Sequence, residues 1–255
     1  RSSAASVVYK GQVRVDSLVL PDHPHADMET AREIQTATGA ADALIAVGSG
    51  TINDLCKFAA AEAGKPYAVF GTAPSMNGYT AANAAITEAG LKKTLKAQCP
   101  RGVFLDLGIL GAAPRRMIQS GFGDSLCRST AQADWLLAHH LRGTPYRAAP
   151  FALLEADEAG LMRDPAGLLR GDNEGMACLA RTLILSGFGM TICGGSEPAS
   201  QGEHMIGHLI EMRPPVGWVE AMHGEQIAVT TLSMARLQEN LLAGSAPRVG
   251  PTSLT

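Results

Sequence analysis

The chain has 255 residues, 46% of them hydrophobic, and a formal net charge of −3. That length and apolar content supply a large core in one or two domains, and the absence of a basic run argues against a nucleic-acid partner. Five scattered cysteines without a C-x-x-C pair argue against a disulfide framework or zinc cluster. No apolar run of membrane-spanning length and no apolar leader is read, so a reducing, cytoplasmic setting is expected.

Short β-branched and apolar runs within residues 7–20 predict strands, and a Pro/His-rich loop follows at 21–25. Met28 to Gly39 has helical spacing. Three apolar runs, Ala43 to Val47, Tyr67 to Phe70 and Gly102 to Leu105, predict strands buried on both faces of a parallel sheet. Helices are expected between them, at Asn53 to Ala63 and near Leu91 to Lys96. Beyond Leu110 the pattern turns helical, in Ile118 to His140, Asn173 to Ile192, Ser200 to Glu211 and Gly224 to Leu242. A boundary near Ala113 divides an α/β part, 1–113, from an all-α part, 114–255. Two prolines, Pro150 and Pro165, limit the regularity of the connection at 147–170.

Two glycine-rich loops follow predicted strands. In the first, Gly48-Ser49-Gly50-Thr51 leads into a helix whose unpaired N–H groups and positive dipole end suit a phosphate. Thr51 and Asn53 can add hydrogen bonds there, Asp54 can cap the first turn, and Lys57 lies one turn on. By itself such a turn is common to any α/β domain. The second loop, Thr72-Ala73-Pro74-Ser75-Met76-Asn77-Gly78, lies on the strand edge where ligands of parallel sheets collect, and the pair forms a crevice.

His204 and His208 are four residues apart and share one face of a helix. His223 opens His-Gly-Glu-Gln, and Asp124 ends Gly121-Phe122-Gly123-Asp124, whose small residues let another helix approach. Two imidazoles and a carboxylate would leave an open coordination position, as a catalytic zinc or iron site requires. Spacing alone leaves His208 as a competing ligand. It also leaves the plainer reading open, with Asp124 a cap and the histidines bonded core residues. His139 and His140 have no acidic partner in sequence and are read as structural.

These linked motifs, Gly48 to Asp54 with Lys57, Thr72 to Tyr79, Gly121 to Asp124, Glu203-His204 with His208, and His223 to Gln226, resemble the iron-containing alcohol dehydrogenase and dehydroquinate synthase-like superfamily. The glycerol-1-phosphate dehydrogenase branch is the nearest match. The resemblance implies a Rossmann-like N-terminal domain, lacking its N-terminal part here, and a helical metal- and substrate-binding domain. It implies NAD or NADP bound by Gly48, Gly50, Thr51, Asn53, Asp54, Thr72 and Ser75. It further implies one divalent ion, zinc before iron or nickel, on Asp124, His204 and His223, which moves His208 to the substrate side. Asp124 and His208 would be the catalytic pair, and Asn77, Asp124 and His208 would meet the substrate. Asn77 stands where the family usually has an acid.

The reaction implied is hydride transfer on a small polyol phosphate, glycerol 1-phosphate or glycerone phosphate, by a homo-oligomer. Lys57, Lys92, Lys93 and Arg128 are candidate anion contacts. An unphosphorylated polyol such as glycerol is the alternative substrate, and a non-catalytic nucleotide- or metal-binding relative is the alternative outside enzymes.

Overall fold

The computed structural model describes residues 8–10, 13–219 and 221–245. Strands β1 (Val8–Lys10) and β2 (Val13–Val15) pair antiparallel. Helix α1 (Met28–Ala37) follows, capped by the Asp27 side chain on the Thr30 amide. Then come β3 (Leu44–Gly48), α2 (Gly50–Glu62) and β4 (Tyr67–Gly71). A 3₁₀ turn at Gly78–Thr80 leads to β5 (Asn83–Glu88), β6 (Leu91–Lys96) and β7 (Val103–Leu105). Strands β3, β4 and β7 form a parallel sheet in that order.

Burial along that sheet departs from the sequence reading. In β3, Leu44 and Ala46 are buried, while Ile45 is 71% and Val47 63% exposed. Helices α1 and α2 cover one face, with Leu55, Phe58 and Ala59 packed on Tyr67 and Val69. Among the described residues nothing covers the other face, and a run apolar on both faces cannot report which face a helix covers.

The expected helix at Leu91 to Lys96 is instead β6, which returns antiparallel along β5 from Glu88 to Asn83. Its turn decides the outcome: Ala89 and Gly90 both take positive φ, 50° and 77°, the requirement of a tight hairpin turn. Leu95 then packs on the core beside buried Ile86. Side chains therefore alternate across a strand, and the local helical propensity of Leu and Lys is overridden.

From residue 107 the regular elements among the described residues are helices. Short α3 (Leu107–Gly111) precedes α4 (Arg115–Leu126) and α5 (Arg128–Arg142), so the segment read as one helix is two, joined at Cys127. The connection at 147–170 forms α6 (Ala149–Ala152), α7 (Glu155–Arg163) and α8 (Pro165–Leu169). Last are α9 (Asn173–Cys193), α10 (Gly202–Met212) and α11 (His223–Ala243). Contrary to the sequence reading, α9 has the length and apolarity of a membrane span. It serves as the central core helix, burying Met176, Leu179, Leu183 and Met190.

Helix α9 also ties the α/β part to the helices. At Gly187 an added Cβ would lie 2.3 Å from Thr80 Oγ1 and 2.7 Å from the Asn77 carbonyl, so only glycine admits the 3₁₀ turn. Thr80 Oγ1 donates to the Ile184 carbonyl at 2.6 Å, and Thr191 Oγ1 donates to the Thr80 carbonyl at 3.0 Å. This seam fixes the second glycine-rich loop over the helical part.

Candidate metal and nucleotide site

Asp124 reaches the site because α4 and α11 cross at glycines. A Cβ at Gly123 would stand 2.3 Å from the Gly224 carbonyl, and one at Gly224 would stand 1.8 Å from the Ser120 carbonyl. A Cβ at Gly121 would meet the Pro74 carbonyl at 1.7 Å, so the loop after β4 presses on the same helix. Ser120 Oγ joins all three elements, donating to the Ser75 carbonyl and accepting from the Gly224 amide, both at 3.1 Å. Glu225 caps α11 by accepting from the Met222 amide at 2.8 Å, and Arg116 of α4 grips the same carboxylate. His223, between Met222 and Glu225, is thereby set against Asp124.

The Asp124 carboxylate is fully buried. Its Oδ2 accepts from the Asn77 amide at 2.9 Å, whereas Oδ1 has no hydrogen-bond partner. Around Oδ1 stand His204 Nε2 at 3.6 Å and His223 Nε2 at 3.8 Å. Both are too long for good hydrogen bonds. Ligand atoms sharing one tetrahedral zinc ion lie about 3.4 Å apart, given zinc–ligand bonds near 2 Å. Asp124 Oδ1 thus fits an ion shared with either histidine, although the groups whose ligand atoms all lie within 4.8 Å of one another are Asp124, Cys127 and His204 on one side and His208, Glu211 and His223 on the other.

Charge supports that fit. Burial alone would raise the Asp124 pKa, but His204, His223 and the Asn77 amide reverse this and hold the carboxyl below its usual range. Burial would lower His204, yet Asp124 and Glu203 raise it to about 9. Without an ion, a proton on His204 supplies the cation that the buried carboxylate demands. Glu203, fully buried, accepts from His204 Nδ1 at 2.9 Å, which leaves Nε2 facing Asp124. It is held in turn by the Gln201 amide at 2.8 Å and Thr130 Oγ1 at 3.2 Å.

His208 stacks on His223 with ring centres 5.8 Å apart. Burial, with Lys92, His223 and His204, lowers its pKa to about 4, so it is neutral at pH 7. Glu211 Oε1 lies 3.6 Å from His223 Nδ1, and its Oε2 pairs with Lys92 at 2.6 Å. Cys127 also borders Asp124 and His204. Its Sγ donates to the Asp124 and Ala199 carbonyls, and burial keeps it a thiol by raising its pKa. The sequence reading named Glu203 in a motif without giving it a role, and missed Glu211. Helical spacing held the signal, because Glu211 follows His204 by two turns on the face that carries His208.

The two glycine-rich loops lie side by side, joined by the Thr72 amide on the Gly48 carbonyl at 3.0 Å. The α2 N-terminus has no side-chain cap, and Ser75 Oγ reaches the Gly50 amide at 3.4 Å. Met76 occupies the space a Cβ on Gly50 would need, at 2.5 Å. Thr51 is half-buried in the first turn of α2. Asn53 and Asp54 turn inward: Asn53 Nδ2 donates to Asp54 Oδ1 at 3.0 Å, and the Ala85 amide donates to Asp54 Oδ2 at 3.1 Å.

Lys57 is fully buried and donates to the Gly78 carbonyl at 2.5 Å and the Asn83 carbonyl at 2.9 Å. It is a strut rather than a free cation. Lys93 pairs with Glu88, Arg128 with Glu158 and Lys92 with Glu211. His139 lies apart from the site, against the Thr144 carbonyl at 2.7 Å. It packs beside His140, with ring centres 5.3 Å apart.

A family profile described as iron-containing alcohol dehydrogenase matches residues 5–114. Over 196 residues the chain is 39% identical to an NAD(P)+-linked glycerol-1-phosphate dehydrogenase of Pyrococcus furiosus, covering 76% of this chain and 55% of that protein. The enzyme of the same name from Halalkalibacterium halodurans is 36% identical over 210 residues, 81% of this chain and 53% of the relative. The chain thus spans about half the length of the curated relatives it matches. Among solved structures, a probable glycerol dehydrogenase from Sinorhizobium meliloti superposes with a TM-score of 0.72 at 21% identity, over 85% of this chain and 63% of that one. Glycerol dehydrogenase from Schizosaccharomyces pombe gives 0.69 at 20% identity, over 86% and 57%. At that identity the likeness is one of fold, the dehydroquinate synthase-like arrangement of a parallel sheet followed by helices. By sequence, the chain belongs to the iron-containing alcohol dehydrogenase family.

Proposed function

We propose that the chain carries the metal- and nucleotide-binding centre of an NAD(P)-dependent dehydrogenase acting on a small polyol phosphate. The pair would be glycerol 1-phosphate and glycerone phosphate. The observation that carries the reading is the buried, unpartnered Asp124 Oδ1 between the Nε2 atoms of His204 and His223. The names of the curated relatives support the substrate. Residues 1–113 would bind the nucleotide, and 114–255 the metal and substrate.

Asp124, His204 and His223 would hold the ion. Nitrogen and oxygen donors suit zinc, with iron or nickel as alternatives. When bound, the ion supplies Lewis acidity toward the substrate oxygen. Glu203 fixes the tautomer of His204. His208, neutral at pH 7, offers a hydrogen bond to a substrate hydroxyl rather than a charge. Gly48, Gly50 and Thr51 would admit the diphosphate to the α2 N-terminus. Thr72 and Ser75, on the strand edge nearer Asp124, would line the path to the nicotinamide, and Asn77 would meet the substrate.

The test is chelation, reloading with zinc, iron or nickel, and NADH or NADPH oxidation with glycerone phosphate or unphosphorylated glycerone. The expected result is metal-dependent turnover that prefers the phosphate ester. A bound ion without turnover on either carbonyl would overturn the dehydrogenase reading. Equal turnover of both would overturn the phosphate.

A further inference from the structure

The two ligand histidines are held unequally. His204 Nδ1 bonds Glu203 at 2.9 Å, and that carboxylate is itself buried and fixed by the Gln201 amide and Thr130. His223 Nδ1 is also buried but has no hydrogen-bond partner. The nearest carboxylate, Glu211, stops 3.6 Å short of it. Its other oxygen is drawn to Lys92 at 2.6 Å, and Gln226 Nε2 donates to Glu211 Oε1 at 3.3 Å. Lys92 belongs to strand β6 of the α/β part, whereas Glu211 belongs to α10 of the helical part.

A carboxylate on the outer nitrogen of a ligating imidazole orients the ring and strengthens it as a donor. Glu203 provides this for His204. Glu211 is placed to provide it for His223 but is diverted. We propose that Lys92 tunes the metal centre through Glu211: by holding that carboxylate away from His223, it makes His223 the yielding ligand beside a fixed His204. Lys92 and Glu211 are then positioning residues, and the hairpin of the α/β part adjusts metal affinity across the seam. The inference rests on the metal reading given under Proposed function.

Zinc affinity separates the possibilities, measured by competition with a chromophoric chelator on the metal-free protein. Circular dichroism checks the fold of each variant. Glu211→Gln alone is expected to weaken zinc by less than the roughly tenfold that loss of a bonded partner costs, because Glu211 does not bond His223 in the wild type, and a tenfold or larger loss would overturn the diversion. Lys92→Met frees Glu211 for His223 and is expected to tighten zinc, with Lys92→Gln as a second variant of the same sign. In the double variant Lys92→Met/Glu211→Gln the gain should vanish, because no carboxylate remains to be released.

Unchanged or weaker zinc binding in both Lys92 variants would overturn the proposal. So would a gain that persists in the Glu211→Gln background, since it would then come from direct repulsion between Lys92 and the ion. Wild-type protein that binds no zinc, iron or nickel would instead overturn the metal reading beneath it.

Discussion

The backbone amide of Asn77 donates to Asp124 Oδ2 at 2.9 Å, so the loop after β4 holds one oxygen of a buried carboxylate whose other oxygen faces two histidines. The side chain at 77 is not part of this bond. An amide or an acid at 77 therefore makes no difference to this bond, and in the proposed site the side chain would act on the substrate side.

Asp124→Asn keeps the shape but removes the charge that makes Oδ1 a ligand. The expected outcome is a protein that no longer retains an ion, with turnover lower by at least roughly a hundredfold, about 3 kcal/mol of transition-state stabilisation. Elemental analysis beside the rate of NADH oxidation checks it. An unchanged metal content would remove Asp124 from the ligand set.

The crossing of α4 and α11 depends on absent side chains. In Gly224→Ala the new methyl would lie 1.8 Å from the Ser120 carbonyl, which is backbone and cannot rotate away. The helices must separate, at a cost of about 3 kcal/mol or more, and His223 must leave Asp124. Gly207→Ala is the control, since its methyl meets only the tip of Ile227 at 3.1 Å. Thermal unfolding should separate the two variants by several degrees.

How far the sequence carried this reading depends on the scale of each feature. The strand–turn–helix at Leu44 to Glu62 and the long helices were legible because period and punctuation agree. The linked motifs singled out Asp124, His204 and His223, and the fold brings Asp124 Oδ1 within 4 Å of a nitrogen of each histidine. Strand β6 was not, because two residues at positive φ, Ala89 and Gly90, determine it against the propensity of the segment. The bare face at Ile45 and Val47 was not, because exposure depends on what packs there. The roles of Lys57 and Lys92 were hidden for the same reason: their partners are far away in sequence.

Lys57 supports the nucleotide loops from beneath. Its ammonium, fully buried, satisfies two carbonyls and lies 3.4 Å from Asp54. Burial lowers its pKa, and Asp54 opposes the shift. Lys57→Met would leave both carbonyls and a largely buried carboxylate without their cation, a loss of about 3–5 kcal/mol. Urea unfolding checks the magnitude. A variant of wild-type stability that loses only nucleotide affinity would instead make Lys57 a ligand contact.

His208 gives the site a pH signature of definite sign. Its folded pKa, about 4, lies below the ordinary histidine value of about 6.5. As pH falls between these values the unfolded chain takes up a proton that the folded chain refuses, so this group lowers stability progressively through that window and by a constant amount below it. A bound cation acts in the same direction. His204, raised to about 9 without an ion, has the opposite sign at higher pH and is common to both proteins in the comparison. The stability of wild type relative to His208→Asn should therefore be flat above about pH 6.5 and fall toward pH 4. Denaturant midpoints at several pH values check it, and a difference that rises on acidification would show His208 to be protonated in the folded site.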